Sequence, residues 1–109
     1  MSVDHRNVID AIGIEVESGE AVLSITDHLS WTDVPGHLQT LQDKINDYVE
    51  FIESGQIVSA YPNSADRKLR IDVHFIEAAV CGEAQAFLSK MSSLLAARGY
   101  GFKYHNRAG

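Results

Sequence analysis

The residues best equipped for chemistry lie close together in the stretch Asp27-His-Leu-Ser-Trp-Thr-Asp-Val-Pro-Gly-His37. Two carboxylates, Asp27 and Asp33, two imidazoles, His28 and His37, and the only tryptophan, Trp31, share this polar connection. A carboxylate beside an imidazole is the pairing that general acid–base work uses, and the connection delivers the chain to a helix N-terminus, whose free amides favour an anion. The same residues have plainer duties available. Asp27 and Asp33 can turn or cap the backbone, and Trp31 can close the edge of a core with its indole N–H hydrogen-bonded. The plainer duties are the expectation; a ligand or partner site at Asp27, His28, Trp31 and His37 is the alternative.

Asp72 and His74 form a second pair, two residues apart and therefore on one face of a strand. His28 or His105 would supply the further imidazole that a metal needs. No H-E-x-x-H spacing and no cysteine pair accompanies them, so the alternating Arg70, Asp72 and His74 are expected to be the solvated side of a sheet, with no metal bound. Ser24, Ser30 and Ser59 lie outside any G-x-S-x-G elbow. Cys81 precedes a helix whose dipole would activate a thiolate, yet a small, buried apolar role suits it better. The eight glycines are dispersed and no G-K-[ST] occurs, which argues against nucleotide-dependent catalysis. No catalytic residue and no cofactor is expected.

The element that must position these groups is the run from His37 to Ser54. Leu38, Leu41, Ile45, Tyr48, Val49 and Ile52 recur at steps of three and four, the period of an amphipathic helix. Asp33 is its N-cap, with Pro35 tolerated in the first turn, and Gly55 is its stop. Phe51 borders the apolar stripe and either widens it toward a partner or packs under the loop after Gly55. Before this helix, Ile9–Glu17 and Ala21–Thr26 alternate with period two around Gly19, a β-hairpin. After it, Gln56–Tyr61 reads as a short strand stopped by Pro62, and Leu69–Ile76 as a strong strand, giving a second hairpin. A second helix runs from Gly82 to Arg98, with Gly99 as its stop, and Phe102 and Tyr104 suggest a last strand. The order ββαββαβ implies an α+β two-layer sandwich, two amphipathic helices on one face of a mainly antiparallel sheet. Residues 1–7 read as a flexible arm, 8–105 as one domain and 106–109 as a tail.

Composition narrows the function classes. A length of 109 residues suits one core, and 45% hydrophobic with 22% charged residues is ordinary for a globular domain. The formal charge of −6, with no basic run longer than Arg67-Lys68, disfavours nucleic acid. No stretch is apolar enough for a membrane span or a signal h-region. The single cysteine points to a reducing, cytoplasmic setting.

The segments Ile9-Asp-Ala-Ile-Gly13, Asp27-His-Leu-x-Trp31, Phe51-Ile-Glu-Ser-Gly-Gln-Ile57, Tyr61-Pro62 and Arg70-Ile-Asp-Val73 resemble a group of short bacterial proteins known only as a domain of unknown function. The resemblance spans about Val8 to Phe102 and implies a compact bacterial domain, with no catalytic residue or partner to carry over. The reading is then a non-catalytic protein-binding or regulatory domain, acidic, with an unknown protein partner or itself as a homodimer partner. A small enzyme or ligand-binding protein using the 27–37 connection, and Asp72 with His74, is the alternative.

Overall fold

Alternation along two strands builds the centre of the molecule. In β2 (Ala21–Asp27) the odd-numbered residues Ala21, Leu23, Ile25 and Asp27 are buried while Val22, Ser24 and Thr26 are only partly covered. In β3 (Leu69–Phe75) Ile71, Val73 and Phe75 share one side, and Arg70, Asp72 and His74 the other, because successive side chains of a strand point to opposite faces. A computed structural model describes residues 9–79 and 81–106. It pairs the two strands in parallel, Leu23 beside Ile71 and Ile25 beside Val73. β1 (Ala11–Ile14) lies antiparallel to β2 and β4 (Gly101–Asn106) parallel to β3, so the sheet order is β1-β2-β3-β4.

Helices cover the Leu23–Ile71 side. α1 (Val34–Glu53) contributes Leu41, Ile45, Tyr48 and Ile52 to the core, and α3 (Gly82–Ala97) contributes Ala84, Leu88, Met91 and Leu95. Each helix bridges two parallel strands, and successive crossovers of one hand place both on one face. Asp33 caps α1, its side chain accepting from the Gly36 amide at 3.2 Å. Gly55 and Gly99 follow the two helices with φ of 85° and 87°, the left-handed conformation that ends a helix most cheaply with glycine.

Two expectations are corrected. Gln56–Ala60 is a short helix, α2, followed by a 3-10 turn at Pro62–Ser64. The run Gln56–Tyr61 is too short for periodicity to separate strand from helix, and Ile57 anchors it as a helical turn, 3% exposed in the core. Without a strand there, no second hairpin exists. Leu69 pairs with Ala21 instead, so the sheet is mixed, antiparallel only between β1 and β2, and the order is ββααβαβ. The two-layer α+β architecture with both long helices on one face stands. β4 also reaches Asn106, a residue assigned to the tail, whose Oδ1 accepts from the Ala79 amide at 2.9 Å. The expected arm 1–7 and residues 107–109 lie outside the described residues.

One buried charge sits within the helical layer. Lys44 is fully buried on α1, its Nζ 3.2 Å from Asp10 Oδ1. Asp10 Oδ2 accepts from the Thr26 amide at 3.1 Å. The Tyr48 hydroxyl accepts from the Asp10 amide at 2.8 Å and donates to the Ser24 carbonyl at 2.6 Å, and burial pushes its phenol well above the ordinary value. This network pins the entry to β1 onto α1. Asp10 Oδ1 makes no hydrogen bond in this network and faces Lys44 through charge alone.

Candidate functional site

The expected site residues separate onto opposite sides of the sheet. Asp27, at the carboxyl end of β2, faces the helices and meets His37 in the first turns of α1: Nε2 lies 2.6 Å from Asp27 Oδ2. His37 Nδ1 lies 2.9 Å from the Ser30 carbonyl, and Asp27 Oδ1 accepts from the Leu29 amide at 3.1 Å. Trp31 stacks on the imidazole at 3.7 Å between ring centroids and donates its indole N–H to the Glu77 carbonyl at 2.9 Å. Burial raises the Asp27 carboxyl above its usual range, with the His37 hydrogen bond opposing it. His28 is exposed, and its charge acts on Asp27 from outside the Asp27–His37–Trp31 trio.

The position is where a parallel sheet usually binds ligands, outside the carboxyl ends of its strands. The bonding argues against catalysis there. A general base needs a ring nitrogen within reach of substrate, and both nitrogens of His37 are engaged by Ser30 and Asp27 under the Trp31 ring. The trio fastens β2, the connection and α1 together.

On the uncovered face, Arg70 gathers three carboxylates. Its Nε donates to Asp72 Oδ1 at 2.7 Å and its Nη2 to Asp72 Oδ2 at 3.1 Å. Nη1 and Nη2 reach Glu15 at 3.1 and 2.9 Å, and Nη1 also reaches Glu20 at 3.0 Å. Those five bonds use the five N–H donors of the guanidinium. Arg70 is only 5% exposed and Asp72 4%, so the expected solvated face is in fact a sealed ion network with solvent at its margins. His74 and His105, exposed, stack beside it at 4.7 Å. The Asp72–His74 pair thus belongs to a different place from Asp27 and His37.

Arg70 holds the Glu15 carboxyl down at about 2, with help from the Ser18 hydroxyl. A carboxylate depressed in the folded state lends its stability fully above its unfolded value, about 4.3, and that stability is lost as pH falls through the folded one. Glu15→Gln therefore flattens the acid limb of the pH–stability profile between about pH 4.3 and 2, as urea midpoints across that interval will show. An unchanged limb would assign acid sensitivity to other carboxylates.

Sequence reasoning missed Glu15, Glu20 and Lys44. Lys44 had a signal, since it falls on the same helical stripe as Leu41 and Tyr48. Glu15 and Glu20 had none, because their meeting with Arg70 depends on the register of β1, β2 and β3. Phe51 is half-buried against the core.

A third feature lies between the helices. Toward their C-terminal ends α1 and α3 leave a groove of about 510 Å³, with Val49, Met91 and Leu94 along it and Glu50 and Glu53 at its rim. Leu94 is 48% exposed. Arg98 Nη1 pairs with Glu53 at 2.7 Å across the mouth.

The fold is that of a small α+β domain with a mixed four-stranded sheet. The chain belongs to a family of unknown function, DUF6572, whose model matches residues 1–108. No curated protein and no solved structure matches it. Among the described residues no helix is long and apolar enough to cross a membrane.

Proposed function

We propose that this chain is a non-catalytic, cytoplasmic protein-binding domain that receives a basic amphipathic segment of a partner protein in the groove between α1 and α3. The observation that carries the reading is the composition of that groove, an apolar floor with half-exposed Leu94 beside a rim of Glu50 and the Glu53–Arg98 ion pair, one negative charge in excess. A helix laid in a groove is held by apolar anchors spaced three and four residues apart, and charge complementarity selects its polar side. The formal charge of −6 draws a basic partner toward the surface. The engaged nitrogens of His37 weigh against the enzyme alternative.

A synthetic amphipathic helix of leucine and lysine is the probe, titrated into the full chain and followed by anisotropy and NMR. Wild type is expected to bind it with shifts confined to groove residues, and Leu94→Glu and Glu50→Lys to weaken it about tenfold or more while circular dichroism stays native, a loss typical of an interface anchor. Equal affinity in the variants, or shifts spread over the whole surface, overturns the reading. A molecular mass that rises with concentration and is restored to the monomer by Leu94→Glu would give the groove to a second copy instead.

A further inference from the structure

We propose that Asp72, His74 and His105, on the uncovered face of the sheet, form a binding site for one divalent first-row transition-metal ion of the zinc type. This inference is independent of the helix groove, which lies on the other side of the sheet. It departs from the expectation, drawn from spacing alone, that no metal binds.

Register places the three donors. His74 and His105 are partners on the adjacent parallel strands β3 and β4, so their side chains leave the same face one strand spacing apart. Asp72 precedes His74 by two residues and therefore shares that face. One ligand atom from each of the three lies within 4.8 Å of the others. Zinc–ligand bonds of about 2.0–2.2 Å place neighbouring donors roughly 3–3.5 Å apart, and exposed imidazoles close that gap by side-chain rotation. His105 Nε2 is already 3.3 Å from Asp72 Oδ2. Binding replaces the proton in that contact with the ion.

The surroundings suit a cation. The two Arg70 bonds to Asp72 fix the carboxylate's orientation, the outer-shell support that ordered metal ligands have. Arg70 does not leave the region positive, because Glu15 and Glu20 pair with it as well. Counting Glu15, Glu20 and Asp72 against Arg70 and Lys103, the face carries one negative charge in excess. Two imidazoles and one carboxylate suit zinc, cobalt or nickel better than calcium or magnesium, which prefer all-oxygen sets. Two exposed imidazoles beside the nearly buried Asp72 leave the remaining positions to water or to a partner's side chain. The site spans β3 and the edge strand β4, and an ion there would clasp the two.

The test uses the full, tag-free chain with Zn²⁺ and Co²⁺ as probes. Calorimetry with Zn²⁺ is expected to show one ion per chain, and Co²⁺ a visible d–d spectrum of nitrogen and oxygen ligation. Histidine NMR should show the ring signals of His74 and His105 moving together. His74→Ala and His105→Ala should each weaken binding about tenfold or more and abolish the cobalt spectrum, while His28→Ala leaves both unchanged. Asp72→Asn perturbs Arg70, so its loss of binding counts only with a native circular dichroism spectrum. Absence of binding at millimolar ion overturns the proposal. So does binding that survives in the His74→Ala, His105→Ala double variant, or that disappears with His5→Ala alone.

Discussion

Asp27→Ala is expected to cost about 3–5 kcal/mol, while Asp27→Asn stays within about 1 kcal/mol of wild type. The contrast follows from where the protons must be. The Ser30 carbonyl can only accept, so His37 Nδ1 carries a hydrogen, and the 2.6 Å contact between Nε2 and Asp27 Oδ2 holds another. Alanine strips partners from both Nε2 and the Leu29 amide, and buried donors or acceptors without partners are expensive. Asparagine reproduces the set. Its oxygen accepts from Leu29 and its amide donates to Nε2. His37→Ala belongs with Asp27→Ala, since it leaves a buried carboxyl without its partner and removes the surface on which Trp31 stacks. Against a typical total of about 5–15 kcal/mol, either alanine variant threatens the fold. The double variant should cost less than the two singles summed, because the groups share one interaction. Urea unfolding followed by Trp31 fluorescence measures all of them.

The same pair sets a pH signature. Burial raises Asp27 above its ordinary value. Its protonated form is therefore favoured by folding. The stability it lends is complete below the unfolded value, about 3.9, and is lost as pH climbs through the raised folded one. Asp27→Asn removes that slope, the opposite in sign to the slope Glu15→Gln removes. A pH profile of Asp27→Asn parallel to wild type would show that Asp27 does not titrate in this window.

Pattern carried the reading wherever one side of an element is buried. The stripe Leu41, Ile45, Tyr48 and Ile52 located α1, and alternation located β2 and β3, because burial imposes a period on sequence. The capping by Asp33, the turn made by Asp27 and the hydrogen-bonded indole of Trp31 were also legible, since these are local acts of residue type. Pairing was not. Val73 alternates in the same way whether its neighbour runs parallel or antiparallel, and only the helical turn at Ile57 decides that β3 lies beside β2. The convergence of Arg70 with Glu15 and Glu20 was hidden for the same reason, as was the choice of His105 over His28 beside His74. Each arises from register across strands distant in sequence, and a one-residue change of register would send every one of these side chains to the other face.

Register also makes Arg70 the residue whose loss should most disturb the sheet. Arg70→Ala is expected to cost about 3–5 kcal/mol, as breaking a buried ion pair does. It strands Asp72, which is 4% exposed, next to Glu15 and Glu20, with His105 and Lys103 left beside it to offset three negative charges. Arg70→Lys should recover only part of the loss, since an ammonium cannot reproduce five directed N–H bonds with a planar fork. The damage has a predictable location. β1 pairs with β2 over four residues and, among the described residues, has no strand on its far side, and Arg70 is the side chain that ties the Glu15 and Glu20 ends of that hairpin to β3. Hydrogen exchange in Arg70→Lys should therefore accelerate at the β1 amides that donate to β2, those of Gly13 and Glu15, before those of Ile71 and Val73, which sit in the sheet centre. Uniform acceleration across all four strands would mean that Arg70 supports global stability without singling out β1. A Glu15→Gln, Glu20→Gln double variant separates the two effects: it releases the hairpin while leaving the Arg70–Asp72 fork, and should reproduce the local acceleration at a smaller total cost.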